Sequence, residues 1–331
     1  MDFSLVICTY NPDVRILERC LQAVQSLDTT GLSTEILLVD NNSATPLSTL
    51  PCVQAFAKAC PQMELLLVKQ QGVQYARMAA IERATGTHIV YFDYDNEPQP
   101  GYLQALQVLT AAYPQVAAWG PGRVEVDFID GVPEAISGLA YGAFQQRHET
   151  DVRFASEPDW QSCYPFGTGL CTKAFLLKQY AAQAQQGVYT LEGRNGNKLS
   201  SGEDTQMVLL CIKEGYAAGV APSLALTHII PGNRANARYL ERLLYGTFVC
   251  YELSLLQVFP EQRSKLEAKL IAPARFARQA WVRWVKWRLQ PKQQKKFDLI
   301  HFLSVNAGTY AALDKPLPGV VRRIIDRLAV A

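Results

Sequence analysis

The sequence predicts an α/β protein, in which a mostly parallel central sheet is flanked by helices and followed by a helical C-terminal region. Apolar segments alternate with segments of helical periodicity, which is the order of a βαβ series. The apolar segments are hydrophobic on both faces, as covered parallel strands are, and comprise residues 3–8, 35–39, 65–68 and 88–92. The helical segments comprise residues 14–27, 53–60 and 73–84.

Beyond residue 109 the pattern becomes irregular. The Gly and Pro residues at 120–122, with Gly131, Pro133 and Gly138, predict loops and short strands in this part of the chain. Helical periodicity returns at residue 235 and continues to the C-terminus. We therefore expect one α/β domain over residues 1–235 and a helical region over residues 236–331.

Composition indicates a folded protein, because 49% of the 331 residues are hydrophobic and only 19% are charged. The eight cysteines are scattered singly without a C-x-x-C motif, which favours free thiols in a reducing cytoplasm. The first residues lack the basic and then apolar pattern of an export signal, and no apolar run reaches the roughly 18 residues that span a bilayer. We expect a cytoplasmic protein.

Three predicted strands end in polar residues. These are Thr9-Tyr10-Asn11, Asp40-Asn41-Asn42 and Asp93-Tyr94-Asp95. Ligands of open α/β sheets bind outside the carboxyl ends of the strands, so these residues are expected to share one rim. Asp40 is suited to accept hydrogen bonds from a ribose or a base. The glycine-rich motifs of dinucleotide folds and of P-loops are absent from the sequence.

Asp93 and Asp95 project to the same side of a strand end, where two carboxylates repel each other unless a cation or a proton joins them. A hard divalent ion, Mg²⁺ or Mn²⁺, fits such oxygen ligands and commonly brings substrate phosphates with it. The alternative is that both acids only open the turn at Asn96 and Pro98. The two interpretations remain open at this point.

A second acidic pair, Glu203 and Asp204, precedes an apolar helical run. Ser200 and Glu203 have the spacing of a capping box, and acids in a first turn complement the helix dipole. Capping explains one acid and leaves the other without a role. His228 follows an apolar run and is either a core residue or a metal ligand.

Together these segments resemble family 2 glycosyltransferases of the GT-A fold, over residues 3–235. The segments that carry the resemblance are VICTYNP at 6–12, LVDNNS at 38–43, GVQYAR at 72–77, YFDYD at 91–95 and GED at 202–204. Tyr94 and Met78 depart from the commonest family pattern, so the choice of nucleotide and sugar is open.

The resemblance implies an inverting transfer from a nucleotide-diphosphate sugar, with UDP as the expected nucleotide and Mn²⁺ or Mg²⁺ as cofactor. It implies a donor pocket formed by Thr9, Tyr10, Asn11, Asp40, Asn42, Gly72, Ala76, Arg77, Asp93 and Glu203. It also implies Asp93, Asp95 and His228 as metal ligands and Asp204 as the catalytic base. The expected acceptor is a glycan or a lipid-linked sugar, in polysaccharide or glycoconjugate biosynthesis.

Two other functions share single features with this sequence. Phosphoryl transfer through an aspartate nucleophile expects the D-x-D motif after the first strand, whereas here it follows the fourth. A non-catalytic carbohydrate- or nucleotide-binding scaffold retains the fold without turnover, and the presence of Asp95 and Asp204 speaks against it.

Residues 261–296 contain eleven Lys or Arg against Glu261 and Glu267, a local net charge of +9 that leaves −7 for the rest of the chain. Helical projection places Trp281, Trp284 and Trp287 on an apolar side. This pattern favours contact with an anionic membrane surface at the cytoplasmic face of the inner membrane. Packing of the tryptophans on the protein is the alternative, and no nucleic-acid-binding motif is present.

Overall fold

The computed structural model describes residues 1–191, 193, 199 and 201–331. Within this part of the chain ten strands form one sheet, in the order β3-β2-β1-β4-β9-β6-β10-β5, with β7 paired to β6 and β8 to β10. The strands are β1 Phe3–Thr9, β2 Thr34–Asp40, β3 Met63–Leu67, β4 His88–Asp93, β5 Asn96–Pro98, β6 Val116–Phe128, β7 Arg147–His148, β8 Arg153–Ala155, β9 Cys171–Lys173 and β10 Ala217–Ile230.

Helices cover both faces of this sheet and form the C-terminal region. They are α1 Val14–Gln25, α2 Pro51–Ala59, α3 Val73–Arg83, α4 Tyr102–Ala112, α5 Glu134–Ala143, α6 Ala174–Gln185, α7 Glu203–Lys213, α8 Ala237–Val258, α9 Arg263–Lys269, α10 Pro273–Leu289, α11 Gln293–Ala312 and α12 Gly319–Leu328. Short 3₁₀ turns cover Leu47–Thr49 and Pro260–Gln262.

The N-terminal half follows the local sequence pattern. Strand β1 is buried along its whole length and pairs in parallel with β2 and β4. Helix α1 begins after Asp13, whose side chain accepts a hydrogen bond from the Arg15 amide, and buries Ile16, Cys20 and Val24 against the sheet. The predicted strands and helices of residues 1–92 are confirmed, with shifts of one or two residues at their ends.

The prediction of loops and short strands beyond residue 109 is confirmed for residues 144–173, where β7, β8 and β9 have two or three residues each, and was wrong for β6 and β10. Strand β6 has 13 residues and β10 has 14, and they pair in parallel over most of their length. The glycines in β6 mark close approach of other chain segments rather than turns. A Cβ on Gly120 would lie 2.5 Å from the Pro165 Cβ, and one on Gly122 would lie 2.5 Å from the Ala221 carbonyl carbon.

Two hydrophobic cores lie on the two faces of the sheet. The C-terminal helices α10, α11 and α12 enclose a third core that includes Phe276, Ile300 and Ile324. Helix α8 joins these regions, because Leu255 and Val258 pack into a sheet core and Tyr245 into the C-terminal one. The C-terminal region is helical, as predicted, and it shares this long helix with the sheet domain.

No single helix among the described residues has the length and hydropathy needed to cross a bilayer. One pair of helices, Ala237–Val258 and Pro260–Lys269, passes the same test only when the two are taken together, and they are bent by 116°.

Candidate active site

The carboxyl ends of three strands form one rim, as predicted. Thr9 at the end of β1 is in register with Asp40 at the end of β2, and Cys8 is in register with Asp93 at the end of β4. Thr9 is 4% exposed, and its hydroxyl oxygen has no hydrogen-bond partner in the described part of the chain. A buried hydroxyl of this kind is available to a ligand.

Asp40 and Asn11 hold the loop that follows β2. Asp40 accepts hydrogen bonds from the Ser43 amide at 2.8 Å and the Leu47 amide at 3.1 Å. Asn11 accepts one from the Ala44 amide at 2.8 Å, and both Asn11 and Asn42 have positive φ angles, 45° and 64°. Each carboxylate oxygen retains a second lone pair, so Asp40 both shapes this loop and remains able to accept a hydrogen bond from a nucleotide.

The next loop is fixed by Asn41, a residue outside the predicted set. Its side-chain amide donates to the carbonyls of Val68 at 3.2 Å and Gln70 at 2.7 Å, and its oxygen accepts from the Gly72 amide at 2.7 Å. Gly72 has a φ of 131° and begins α3, so the loop enters the helix at a fixed angle. Asn41 therefore links the second strand to the start of α3.

Two further predicted donor-pocket residues lie at different depths. Tyr10 is 41% exposed, and its hydroxyl accepts a hydrogen bond from the Gln71 side chain at 3.2 Å. Ala76 is 1% exposed and packs within a sheet core, so it supports the pocket from behind and does not line it. The two departures from the family pattern, Met78 and Tyr94, also pack against the cores.

Arg77 is buried at the centre of an acidic cluster. Its guanidinium donates to Glu203 Oε1 at 2.9 Å, lies 3.5 Å from Asp93 Oδ1 and stacks over the Tyr91 ring. Burial disfavours its charge, but the carboxylates of Glu203, Asp93 and Asp204 outweigh that effect and raise the pKa of Arg77 above its usual value. Arg77 joins β4 to α7, and its predicted place in the nucleotide pocket stays a prediction.

Asp204 lies in the first turn of α7, whose N-cap is Gly202. Its Oδ2 accepts a hydrogen bond from the Gly167 amide at 3.0 Å, and its Oδ1 accepts one from the Thr205 amide at 2.8 Å. The side chain is partly exposed, which suits a base that must reach a substrate. Gly202 takes the capping position that the sequence assigned to Ser200, and Ser200 itself lies outside the described residues.

Asp95 is 4% exposed and has two positively charged or ionisable neighbours. The Arg234 guanidinium donates to Asp95 Oδ2, and His228 Nε2 lies 3.5 Å from the same oxygen. Burial raises the pKa of Asp95, but the charges of His228 and Arg234 lower it by more, so this pKa lies well below its usual range. Asp95 is therefore ionised at neutral pH.

The three predicted metal ligands do not form one cluster, because the described residues contain no group of three or more His, Cys, Asp or Glu side chains able to hold a metal ion. Asp93 is instead 3.5 Å from Arg77. The metal-ligand set Asp93, Asp95 and His228 stays a prediction, and two of its members, Asp95 and His228, are neighbours in the structure.

Asp95 and His228 do fit a divalent cation. The carbonyl of Phe144 can only accept, so His228 Nδ1, 2.9 Å away, carries the proton and leaves Nε2 directed at Asp95. This is the orientation that a hydrogen-bonded outer partner gives to a metal-binding histidine. Adjacent ligands of an octahedral Mg²⁺ lie about 3 Å apart, close to the 3.5 Å between these two atoms.

Comparison with known proteins identifies the family. Residues 4–149 match the model of the family described as glycosyl transferase family 2. An N-acetylglucosaminyltransferase of Neorhizobium galegae is 36% identical over 254 residues, which are 73% of this chain and 53% of that protein. Residues 4–149 of this chain are a glycosyltransferase family 2 domain.

Two other similarities agree with this assignment. The glycosyltransferase AglE of Haloferax volcanii is 31% identical to this chain over 102 residues, which are 30% of this chain and 33% of AglE. The chain thus spans about half of one curated relative and a third of the other. The mannosyltransferase PcManGT of Pyrobaculum calidifontis, solved with GDP-Man and Mn²⁺, superposes with a TM-score of 0.50 at 18% identity, over 99% of this chain and 80% of that one. This superposition supports the GT-A fold.

Three residues outside the predicted set hold residues of this candidate site. They are Asn41, Gly167 and Arg234, which contact Gly72, Asp204 and Asp95 respectively. Asn41 lies inside the LVDNNS segment, where a buried amide between two loops could have been expected. The contact of Arg234 with Asp95 spans 139 positions of the chain, and no local sequence pattern predicts it.

Proposed function

We propose that this chain is an inverting glycosyltransferase that moves a sugar from a nucleotide diphosphate, with UDP as the expected nucleotide, using Mn²⁺ or Mg²⁺. The observation that carries the proposal is the convergence of acids from β4 and α7 on Arg77, beside the strand-end rim. A Cβ added to Gly167 would lie 3.0 Å from Asp204 Oδ2 and 3.2 Å from Arg77 Nη2, so the base adjoins this cluster. Asp95 and His228 supply a cation position on the same rim.

Each group has a task in a single displacement. Asp204 accepts the proton of the acceptor hydroxyl as that oxygen bonds to the sugar. The hydroxyl of Thr9 and the carboxylate of Asp40 hold the nucleoside, and Arg234 provides a positive charge for the diphosphate. Asp95 and His228 would hold a divalent ion, which would supply Lewis-acid stabilisation of the departing diphosphate. Attack from the face opposite the leaving group inverts the anomeric centre.

The relatives support a choice of donor and acceptor to test. The Neorhizobium relative is named an N-acetylglucosaminyltransferase, which supports UDP-N-acetylglucosamine as the first donor to try. We propose a glycan or a lipid-linked sugar as acceptor, in polysaccharide or glycoconjugate biosynthesis in the cytoplasm, at the inner face of the membrane.

The first test is calorimetric binding of UDP, GDP, dTDP and CMP to the full chain with Mn²⁺ and then with EDTA. We expect UDP to bind in the presence of metal. We expect Asp95→Asn, which removes one ligand charge, to abolish UDP binding or to weaken it at least about tenfold. Binding of UDP that is equal in EDTA and in Mn²⁺ contradicts metal dependence. Failure of all four nucleotides to bind contradicts the donor site itself.

A second test separates the enzyme from a scaffold. We expect Asp204→Asn to retain UDP affinity and to lower kcat by about 10²–10⁴-fold, the usual contribution of a general base. The readout is release of UDP from UDP-N-acetylglucosamine, with and without a β-linked N-acetylglucosamine oligomer as acceptor. Nucleotide binding by the wild-type chain without any turnover, across UDP-sugars, favours the non-catalytic scaffold.

A further inference from the structure

Helix α10 buries one side and leaves apolar side chains on the other. Phe276 and Ala280 are fully buried against the C-terminal core. Trp281, Val282 and Leu289 are instead 49%, 42% and 77% exposed. An amphipathic helix normally buries such side chains. The solvent exposure of these three therefore marks a surface suited to contact with an apolar partner.

This exposed side is also strongly basic. Residues 270–297 contain eight Lys or Arg and no Asp or Glu. Arg275, Arg278, Val282, Lys286 and Leu289 follow one another at intervals of three or four residues, so they form one stripe along the outside of α10. Arg275, Arg278 and Lys286 form no ion pair within the described part of the chain.

Other basic residues of α10 lie against aromatic rings and shape the helix's edge. Arg283 stacks over Phe302 at 4.4 Å, and Arg288 lies over Trp284 at 5.8 Å. Part of the packing alternative is therefore correct, because Trp284 and Trp287 pack against the C-terminal core while Trp281 does not.

A groove of about 390 Å³ opens beside this stripe, between α10 and α11. Its apolar wall includes Trp287 and Leu289, and its basic residues are Arg283, Lys286 and Lys295, with Asp298 as the one acid. Three cations around an apolar wall match the chemistry of a phosphate group attached to an acyl chain.

We propose that the outer face of α10 and the adjoining groove bind the surface of an anionic phospholipid bilayer. The exposed Trp281, Val282 and Leu289 enter the interface between headgroups and acyl chains, and the basic stripe contacts the anionic headgroups. A second copy of this face is a poor occupant, since Arg275, Arg278 and Lys286 would face the same cations of the other copy and repel them. Apolar side chains along the outermost edge suit a bilayer better than a phosphodiester backbone.

The proposal stands apart from the proposed reaction, because it uses no residue of the rim or of the acidic cluster. Its failure therefore leaves the glycosyltransferase assignment unchanged. Nucleotide binding that fails while vesicle binding succeeds overturns only the reaction.

The experiment is flotation of the full chain with vesicles of phosphatidylcholine alone or of phosphatidylcholine with phosphatidylglycerol. We expect binding only to the anionic vesicles, and release at about 1 M ionic strength, where the Debye length falls to about 3 Å. Each basic side chain near an anionic bilayer contributes about fivefold, so Arg275→Glu with Arg278→Glu weakens binding by at least about 25-fold. Trp281→Ala tests the apolar contribution at unchanged charge.

Lys58→Glu with Lys178→Glu is the matched control, because both lysines are exposed on other helices and the net charge changes equally. Equal weakening by the control, equal binding to neutral vesicles, or no binding to either vesicle overturns the proposal. A nucleic acid is the better ligand if the chain binds a DNA duplex more tightly than anionic vesicles and if Arg275→Glu with Arg278→Glu abolishes that binding. This result also overturns the proposal. Circular dichroism verifies that each variant is folded, and Trp281→Ala keeps the test decisive if the charge reversals unfold the chain.

Discussion

Arg234 shows how one side chain changes what the rim can hold. It lies on the segment between β10 and α8 and donates to Asp95 Oδ2, the oxygen that His228 also faces. In the proposed reaction a divalent ion would compete with this guanidinium for one carboxylate of the nucleotide-free chain. A bound diphosphate would offer Arg234 a second anionic partner and would release Asp95.

We expect Arg234→Met to raise the affinity for Mn²⁺ alone by about tenfold, equivalent to ~1.4 kcal/mol, because Asp95 loses its competing cation. Calorimetric titration of Mn²⁺ without nucleotide measures this. Arg234→Lys retains the charge and is the control, with an affinity closer to wild type. Unchanged Mn²⁺ affinity in the methionine variant contradicts the competition.

Gly167 tests how tightly the base is positioned. An added Cβ would lie 3.0 Å from Asp204 Oδ2, so the carboxylate must move by a few tenths of an ångström. Since a misplacement of about 1 Å can cost about 10²-fold, we expect Gly167→Ala to lower kcat about tenfold with little change in UDP affinity.

Steady-state kinetics with a UDP-sugar measure the effect of Gly167→Ala. The control is Gly142→Ala in α5, where an added Cβ meets no atom within 4 Å. A Gly167→Ala enzyme with wild-type kcat argues against Asp204 as the base, or against its fixed position.

At the residue scale, the sequence predicted the side chains that follow strand ends and did not predict those held by contacts distant in sequence. Thr9, Asp40 and Asp93 meet because parallel strands in register end together. The bridge from Arg77 to Glu203 spans 126 positions, and no local pattern encodes it.

At the scale of elements, Arg77 joins α3 to β4 and α7. It is 4% exposed and lies among Glu203, Asp93 and Asp204. A buried charge whose partner is removed is costly, so this contact determines how α7 sits on the sheet as well as the charge of the site.

We expect Arg77→Met to lower the free energy of unfolding by about 3–5 kcal/mol, because it removes the cation that pairs with the buried Glu203 carboxylate. Urea denaturation measures this, and adding Glu203→Gln should recover part of the loss. Arg83→Met in the same helix is the control: its pair with Glu64 is exposed, so the expected cost is about 0–1 kcal/mol. Equal costs for Arg77→Met and Arg83→Met contradict the buried bridge.

The elements differ in how far local sequence predicts them. Strands β1, β2 and β4 have the uninterrupted apolar runs of buried parallel strands, and they were predicted. Strand β6 contains Gly120, Pro121 and Gly122, and β10 contains Pro222 where its register with β6 shifts. Gly and Pro usually end strands, but here they allow a bulge and the close approach of other segments of the same chain. Only the tertiary structure distinguishes a strand end from a bulge of this kind.

At the scale of the whole molecule, α8 belongs to both halves. Its Ser254 hydroxyl donates to the Gly202 carbonyl just before α7, and Gln257 accepts a hydrogen bond from Gln206 at 2.6 Å. Near its start, Arg238 donates to the carbonyl of Leu328 at the end of α12. The boundary predicted at residue 235 therefore marks a change in architecture, and the structure predicts that the two sides depend on each other.

We expect a chain truncated after residue 235 to lose cooperative thermal unfolding or to aggregate, because Leu255, Val258 and Phe259 leave the sheet core. Differential scanning calorimetry of the truncated and full chains measures this. A truncated chain with a sharp transition and UDP affinity like that of the full chain contradicts the dependence and supports an independent domain over residues 1–235.

Helix α8 begins three residues after Arg234, runs for 22 residues, about 33 Å, and packs against both the sheet and the C-terminal helices that include α10. If α10 binds a membrane surface as proposed, the strand-end rim lies at a fixed distance and angle from that surface. The bound protein would then select acceptors by their length, and would glycosylate those whose ends reach the rim from that surface. Lengthening an acceptor's spacer, with its terminal sugar unchanged, would alter the rate as strongly as changing the sugar.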